Sequence, residues 1–439
     1  MFDKLFGRTR KKTDVPDPDI HFGRYSDNNK SVEKVNRWTE ADNLYKDKKF
    51  FESIDAFFDY LRDDEADNVV HERNGKEGRF QFFQGSKIVR GTYNEEQLSA
   101  EVSLAKMPNP SVPVMRRLLE MNFNLYYSRY SMDQDRLCMR FDSELDHANP
   151  SKLYYGLKEL ATKADKQDDL LVGDFVTLQP IDVDHITEIP DSEKAIKFDF
   201  VQKWITETLD YVVTLDADKL SGGIAYLLLA LCYRIDYLVK PEGKVLHELE
   251  KIAELYFKKD ERQVQEKNRD MVDMLRKFQE ISKEDFFKGL YRSRHTFAIV
   301  MPQQYKTIAD AVYNANQNVA WYRENNHPKI AEKICEYGIC YCQYSYSLPK
   351  PVTEFIHIFM MVNYSDYFQA LGFTEKLYIP ADGSFDTETI LEKIKQVQDR
   401  WKVKYPNLNF RTENIRFDDL VNFNFTFATE LEFLNLDNK

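Results

Sequence analysis

The apolar positions of the chain change period several times, and each change marks an element. From Ser31 to Leu61, Val35, Trp38, Ala41, Leu44 and Tyr45 recur at helical spacing, as do Phe51, Ile54, Phe57, Phe58 and Leu61 after the polar run KDKK. That spacing predicts an antiparallel helix pair. In RFQFFQGSKIVRGTYNEEQLSAEVSLAKM, Leu98, Ala100, Val102 and Leu104 alternate with Gln97, Ser99, Glu101 and Ser103, the period-two mark of a strand with one wet face. Gly85-Ser86 and Tyr93-Asn94 supply turns, so a meander of three strands is predicted. Ser111 and Pro113 then open a helix with Met115, Leu118 and Leu119 along one face, and helix gives way to strand near Asn122 to Asn124.

The next stretch reads as a hairpin whose register follows from its side chains. A two-residue turn at Gln134-Asp135 sets Tyr130 opposite Met139, Met132 opposite Leu137 and Ser128 opposite Phe141, gathering the apolar side chains on one side. A three-residue loop would mix apolar and charged residues on both faces and is rejected. The other face then carries Leu125, Tyr127, Arg129 and Ser131 against Cys138, Arg140 and Asp142, with Arg129 directly opposite Arg140. Like charges so placed are unfavourable unless an acidic group sits near them. After the hairpin, Asn149 and Pro150 start a helix with Leu153, Tyr154, Leu157, Leu160, Ala161 and Ala164 as its apolar stripe.

Residues 176–198 hold two prolines and many acids with little periodicity, which reads as a linker. From Phe200 to Tyr346 the pattern is helical almost throughout. Its longest apolar run, Ile224 to Tyr233, is about half the ~20 residues a membrane-spanning helix needs, so a buried helix is expected. The final stretch starts with LPKPV, passes through helical TEFIHIFMMVNYSDYFQALGF and ends in the alternation of LVNFNFTFATELEFLNL. The expected fold class is therefore α+β and multidomain: a small antiparallel-sheet module, a mainly helical domain and a smaller C-terminal α+β region. The boundaries read as a flexible basic tail and linker (1–30), a helical hairpin (31–68), the α+β module (69–175), the linker (176–198), the helical domain (199–347) and the C-terminal region (348–439).

Two resemblances accompany this pattern. LYKDKKFFESIDAFFDYL resembles the second half of a tetratricopeptide repeat, though one copy makes a helical hairpin and not a solenoid. The order of RRLLEMNF, LYYSRYSMD, RLCMRF and LYYGLKELATKAD resembles the YbjN-like bacterial proteins and, more loosely, the type III secretion chaperone fold. That resemblance covers about 100 of 439 residues and rests on pattern without an invariant motif. It implies a module that dimerises and binds other polypeptides without a catalytic centre, and it carries over no functional residue.

Charge and composition narrow the partners. A formal charge of -12, with Lys and Arg dispersed among acids, repels phosphate backbones and argues against nucleic acid. Five cysteines spread over the chain do not make a secreted disulfide framework and fit a reducing cytoplasm. The start MFDKLFGRTRKK has the wrong order for a signal peptide. Membrane contact through Phe2, Leu5 and Phe6 beside Arg8, Arg10, Lys11 and Lys12 would be weak for so short an anchor, and a solvated tail is favoured.

Candidate chemistry is sparse. No phosphate loop, dinucleotide fingerprint, H-E-x-x-H or G-x-S-x-G occurs, so no catalytic residue and no cofactor are assigned. Cys335, Cys340 and Cys342, with His327 and His357 nearby in sequence, invite a metal site, but on a helix 340 points away from 335 and 342, and no metal is assigned. Asp382, Asp386 and Glu388 do not match a calcium loop, and Asp386 is expected to cap the helix that follows. Arg292, Arg294 and His295 could fork onto an anion, against the simpler reading of a solvated face. The favoured site is a protein-binding face of Tyr127, Arg129, Arg140, Tyr126 and Tyr130, because aromatics and Arg are enriched where proteins meet. The expectation is thus a non-catalytic, chaperone-like or adaptor protein of the bacterial cytoplasm that binds another protein or a second copy of itself. The alternative is an enzyme or small-ligand protein with a pocket between the helical and C-terminal regions.

Overall fold

The computed structural model describes residues 17–28, 30–63 and 66–437. Helices α1 (Val32–Lys46) and α2 (Phe50–Leu61) form the expected pair, joined by the KDKK turn. The sheet module follows as β1 (Val69–Asn74), β2 (Glu77–Gln84), β3 (Lys87–Tyr93), β4 (Gln97–Lys106), α3 (Val112–Asn122), β5 (Arg129–Asp133), β6 (Arg136–Glu144) and α4 (Pro150–Asp174). Its antiparallel path is β1-β2-β3-β4-β6-β5.

One strand was not expected. β1 pairs with β2 from Val69 opposite Phe82 to Asn74 opposite Glu77, and Gly75 takes a φ of 63° in the turn between them. The Asn74-Gly75 dipeptide is the local signal for such a hairpin. The β5-β6 register matches expectation: Tyr130 faces Met139, Met132 faces Leu137 and Arg129 faces Arg140. Gln134, at the tight turn, has a φ of 56°.

One face of the sheet is packed and the other is open. Leu98, Ala100, Val102, Met139 and Phe141 are buried beside Leu153, Leu157, Leu160 and Ala161 of α4. Gly156 lets that helix approach closely, since a Cβ there would stand 2.4 Å from the Phe141 ring. Leu119, expected on the inner face of α3, is exposed instead, because Val114, Leu118 and Met121 form the buried stripe at i, i+4 and i+7.

The helical half contains α5 (Asp191–Val213), α6 (Ser221–Val239), α7 (Gly243–Phe257), α8 (Val264–Gln279), α9 (Lys283–Lys288), α10 (Tyr305–Asn316), α11 (Val319–Glu324), α12 (Pro328–Ser345), α13 (Lys350–Asn363), α14 (Ser365–Ala370), α15 (Thr387–Trp401) and α16 (Leu420–Glu432). The residues read as a linker, 176–198, carry β7 (Gln179–Pro180) on β4 and β8 (Thr187–Glu188), which pairs with β9 (Tyr291–Arg292). Their end is already helical, because Pro190 sets the first turn of α5 with Asp191 and Glu193 behind it.

Among the described residues, α6 is the helix long and apolar enough to cross a membrane, and 89% of that stretch is buried inside the fold. The C-terminal alternation misleads. The segment from Leu420 is helix, capped by the Asp419 carboxylate, which accepts the Asn422 N–H at 2.7 Å, and Phe423, Phe427 and Leu431 are buried on one stripe. Among the described residues, strand in this region is confined to the small hairpin of β10 (Tyr378–Ile379) and β11 (Ser384–Phe385). Asp386 caps α15 as expected. A single hydrophobic cluster runs from Ile189 to Leu434, so regions 199–347 and 348–439 share one core.

The first described residues are not a linker. Residues 1–16, including the basic run, lie outside the described residues, but from Phe22 onward the chain is a strap laid on the helical half. The Phe22 ring lies 4.9 Å from Phe368 and 5.3 Å from His357, centroid to centroid. Gly23, with a φ of 73°, donates its N–H to the Tyr237 carbonyl at 2.8 Å. The buried Arg24 guanidinium is held by Asp236 at 2.8 Å and Glu250 at 3.2 Å and lies over the Tyr344 ring.

Asp27 then ties three parts together. It accepts from the Tyr154 hydroxyl of the sheet module at 2.8 Å, from the Ala298 N–H at 3.2 Å and from the Ser347 hydroxyl at 3.1 Å.

Candidate protein-docking surface

The site begins with the outer face of α3. Burying Val114, Leu118 and Met121 leaves Val112, Arg116, Leu119 and Phe123 on the solvent side, spaced three or four residues apart. The chain then makes a short loop before β5, and that loop is held from below. The Glu159 carboxylate of α4 accepts the N–H groups of Tyr126 (2.8 Å), Tyr127 (2.9 Å) and Ser128 (2.8 Å), and the Ser128 hydroxyl at 2.7 Å. Burial would raise the Glu159 pKa, but these donors outweigh it and hold the carboxyl below its usual range. Asn122 adds a side-chain acceptor for the Tyr130 N–H at 2.8 Å.

A backbone fixed in this way presents its rings outward. Phe123 and Tyr126 are each 91% exposed, and Tyr127 and Leu119 are exposed beside them. Tyr155, one turn before Glu159 on α4, is exposed as well. Single exposed apolar residues are ordinary on protein surfaces, whereas a set of aromatics on one anchored loop is the kind of patch that marks an interface. Arg116 and Arg117 stand on the same helix, exposed and without an ion pair among the described residues.

The structure divides the five residues expected to share a face. Tyr126 and Tyr127 belong to the exposed loop. Tyr130 turns inward and is buried with Met139 and Leu118 in the core of the module. Arg129 and Arg140 lie on the open face of the sheet, and the acidic neighbours that their pairing demands are present. Arg129 meets Asp142, and Arg140 meets Glu101 and, at 3.5 Å, Asp133. Arg136 shares both Glu101 (2.6 Å) and Asp133 (2.9 Å). Beside this network the same face forms a shallow depression of about 540 Å³ lined by Val70, Glu72, Arg79, Arg90, Thr92 and Glu101, among others.

Arg292, Arg294 and His295 have another occupation. They belong to the segment by which the helical half grips the sheet module. Arg292 pairs with Glu193 at 3.3 Å, while Arg294 lies 3.5 Å over the Phe83 ring and donates to the Asp67 carbonyl at 3.1 Å. His295 is buried, and desolvation, helped by Lys240, pushes its pKa down to about 3, so the ring is neutral. The next residues complete the grip. Thr296 and Phe297 donate their N–H groups to the Gln84 side chain, and the Phe297 ring enters the sheet core 5.6 Å from Phe82 and 5.4 Å from Tyr154.

The cysteines do not converge. All five are free and buried. On α12, Cys340 lies 3.7 Å from the Met360 sulfur and Cys342 lies 3.8 Å from the Ile308 carbonyl, while Cys335 lies 4.0 Å from the Ala331 carbonyl of its own helix. Burial pushes the Cys342 thiol up to about 12. His357 stacks against Phe22, and His327 sits at the start of α12. Among the described residues, the group of three metal-type ligand atoms within reach of one another is the exposed Glu144, Asp146 and His147. Asp382 turns its carboxylate onto Ser384, shaping the β10-β11 turn.

Sequence reasoning missed Glu159, Leu119 and Phe123. Glu159 had no local signal, because its partners lie about 30 residues earlier in the chain. Leu119 and Phe123 become legible once the buried stripe of α3 is known. Comparison with family models and with curated proteins finds no match for this chain.

Proposed function

We propose that this protein works by binding another protein through the outer face of α3 and the loop that follows it. The observation that carries this reading is the anchored loop: a carboxylate holds three successive N–H groups while Phe123 and Tyr126 stand almost fully in water. Rings fixed before contact lose little freedom on binding, which is why aromatic anchors dominate interface energetics. Arg116 and Arg117 select a partner with an apolar face flanked by carboxylates. The resemblance to YbjN-like and secretion-chaperone proteins points the same way, toward a polypeptide-binding module that also pairs with its own copies. Residence in the bacterial cytoplasm belongs to this reading and is consistent with five reduced, buried cysteines.

A photo-crosslinking residue at position 119, exposed on the same face and introduced in native cells, tests the reading. The expected outcome is one specific protein adduct that survives Arg79→Ala on the far side of the module and is lost in Phe123→Ala/Tyr126→Ala. Equal adduct yield from the folded double variant overturns it.

A further inference from the structure

A cavity of about 960 Å³ opens where α4 of the sheet module meets α7, α8 and α9 of the helical half. Its apolar wall is Val172, Val245, Ile252, Met274, Phe278 and Ile281. The lysines and acids of its rim, Lys244, Lys277, Glu280 and Asp285, are exposed. Two carboxylates of the lining are not: Glu242 is 7% exposed, and Asp169 is mostly buried against the backbone of Gly243. Pockets of this size, apolar with a few converging polar groups, are the usual form of small-molecule sites.

Neither carboxylate forms an ion pair with a Lys or Arg among the described residues, although Lys240 faces Glu242. Glu242 Oε1 accepts the Ser293 hydroxyl at 2.9 Å, and Oε2 has no hydrogen-bond partner among the described residues. The nearest ring, His295 at 3.9 Å, is neutral. Asp169 has no ion pair among the described residues, and the Tyr291 hydroxyl lies close enough to lower its pKa. The cations nearby are committed elsewhere. Lys87 is bound to Asp168 (2.8 Å) and the Ile181 carbonyl, Lys166 to Glu250, and Arg24 to Asp236 and Glu250. Asp168 of α4 adds further negative charge behind Asp169, burial favours the neutral form of Asp165, and Lys240 is the remaining basic group facing Glu242. Buried carboxylates are costly to ionise, so a cation supplied from outside would favour their charged forms here.

We propose that this cavity binds an amphiphilic amine, with its ammonium between Asp169 and Glu242 and its hydrocarbon body against Val245, Ile252, Met274 and Phe278. Burial and the neighbouring Asp168 raise Asp169 to about 7, so a cationic ligand must bind against proton uptake and binds more tightly as pH rises. The site is separate from the α3 surface, and its failure would leave the docking reading intact.

The test uses the full chain with decylamine, decanol and decanoate, each below its aggregation concentration, in calorimetry and thermal unfolding. Decylamine is expected to bind and raise Tm at pH 8 and to bind about 10-fold more weakly at pH 6. Decanol and decanoate are expected to bind at least about 10-fold more weakly than the amine, a gap worth ~1.4 kcal/mol. Asp169→Asn and Glu242→Gln should each weaken decylamine about 10-fold or more, while Lys277→Ala on the rim should change it less than about twofold. Met274→Trp, which fills the cavity, should abolish binding, and if it does not fold the two carboxylate variants decide alone. Equal binding of decylamine and decanol, unchanged affinity in the carboxylate variants, or no binding by any of the three overturns the proposal.

Discussion

On the sheet, Arg129, Arg136 and Arg140 meet Asp142, Glu101 and Asp133 on an open face, where Arg140 is 34% exposed and Glu101 24%. In the helical half, Arg24 meets Asp236 at 9% and 4% exposure, and Arg234 meets Glu336 at 5% and 0%. The chemistry is the same and the consequence differs. Water screens the first set, so those pairs offset one another's repulsion and leave the face polar and available. The second set is sealed, and its members hold strap and helices in one arrangement because leaving any of them alone is expensive. The comparison shows where this protein keeps freedom and where it gives it up.

The largest expected effect breaks the sealed side. Arg24→Ala leaves Asp236 and Glu250 buried without their guanidinium and should cost about 3–5 kcal/mol in urea unfolding. Next comes the anchored loop. Glu159→Gln removes the charge from an acceptor of three N–H groups and should cost about 1.5–3 kcal/mol at pH 7. Because the Glu159 pKa is depressed in the folded protein, that contribution is present above its unfolded value and lost as pH falls through the folded value. The difference between wild type and variant should therefore shrink in acid, as paired unfolding curves at pH 7 and pH 3.5 will report.

Asp169 sharpens the contrast in the opposite direction. Its pKa is raised to about 7, so folding favours the protonated form, and the benefit, full at low pH, is lost as pH rises through 7. Asp169→Asn mimics that neutral form and should stabilise the protein by ~1–2 kcal/mol more at pH 8 than at pH 5, read from denaturation midpoints. The smallest effect belongs to the open face. Arg140→Ala should change stability by about 1 kcal/mol or less, and a loss comparable to that of Arg24→Ala would erase the distinction between the two regions.

Much of the sheet module was legible because its signals are local. Alternation marks β4 as a strand, and the apolar set of the β5-β6 hairpin fixes its register within a few residues, as found. β1 was missed although Asn74-Gly75 announces its turn, since its own residues alternate weakly. The stretch from Leu420 carried two periods at once: Phe423, Phe425 and Phe427 alternate like a strand, while 423, 427 and 431 repeat like a helix. The Asp419 cap and burial in the helical core decide between them, leaving Phe425 exposed. The candidate site was half legible. Its tyrosines stand out by type, but which of them face water depends on Glu159, and no sequence pattern reports that partner.

The strap carries a consequence for how the chain is made. Residues 22–24 are synthesised before their partners at 236, 237, 250 and 368, which lie more than 200 positions downstream. The ribosome therefore releases Phe22 and Arg24 long before anything exists for them to hold. The sheet module, whose contacts are mostly local, can form during that wait, whereas the strap can dock fully only once residue 368 has been made.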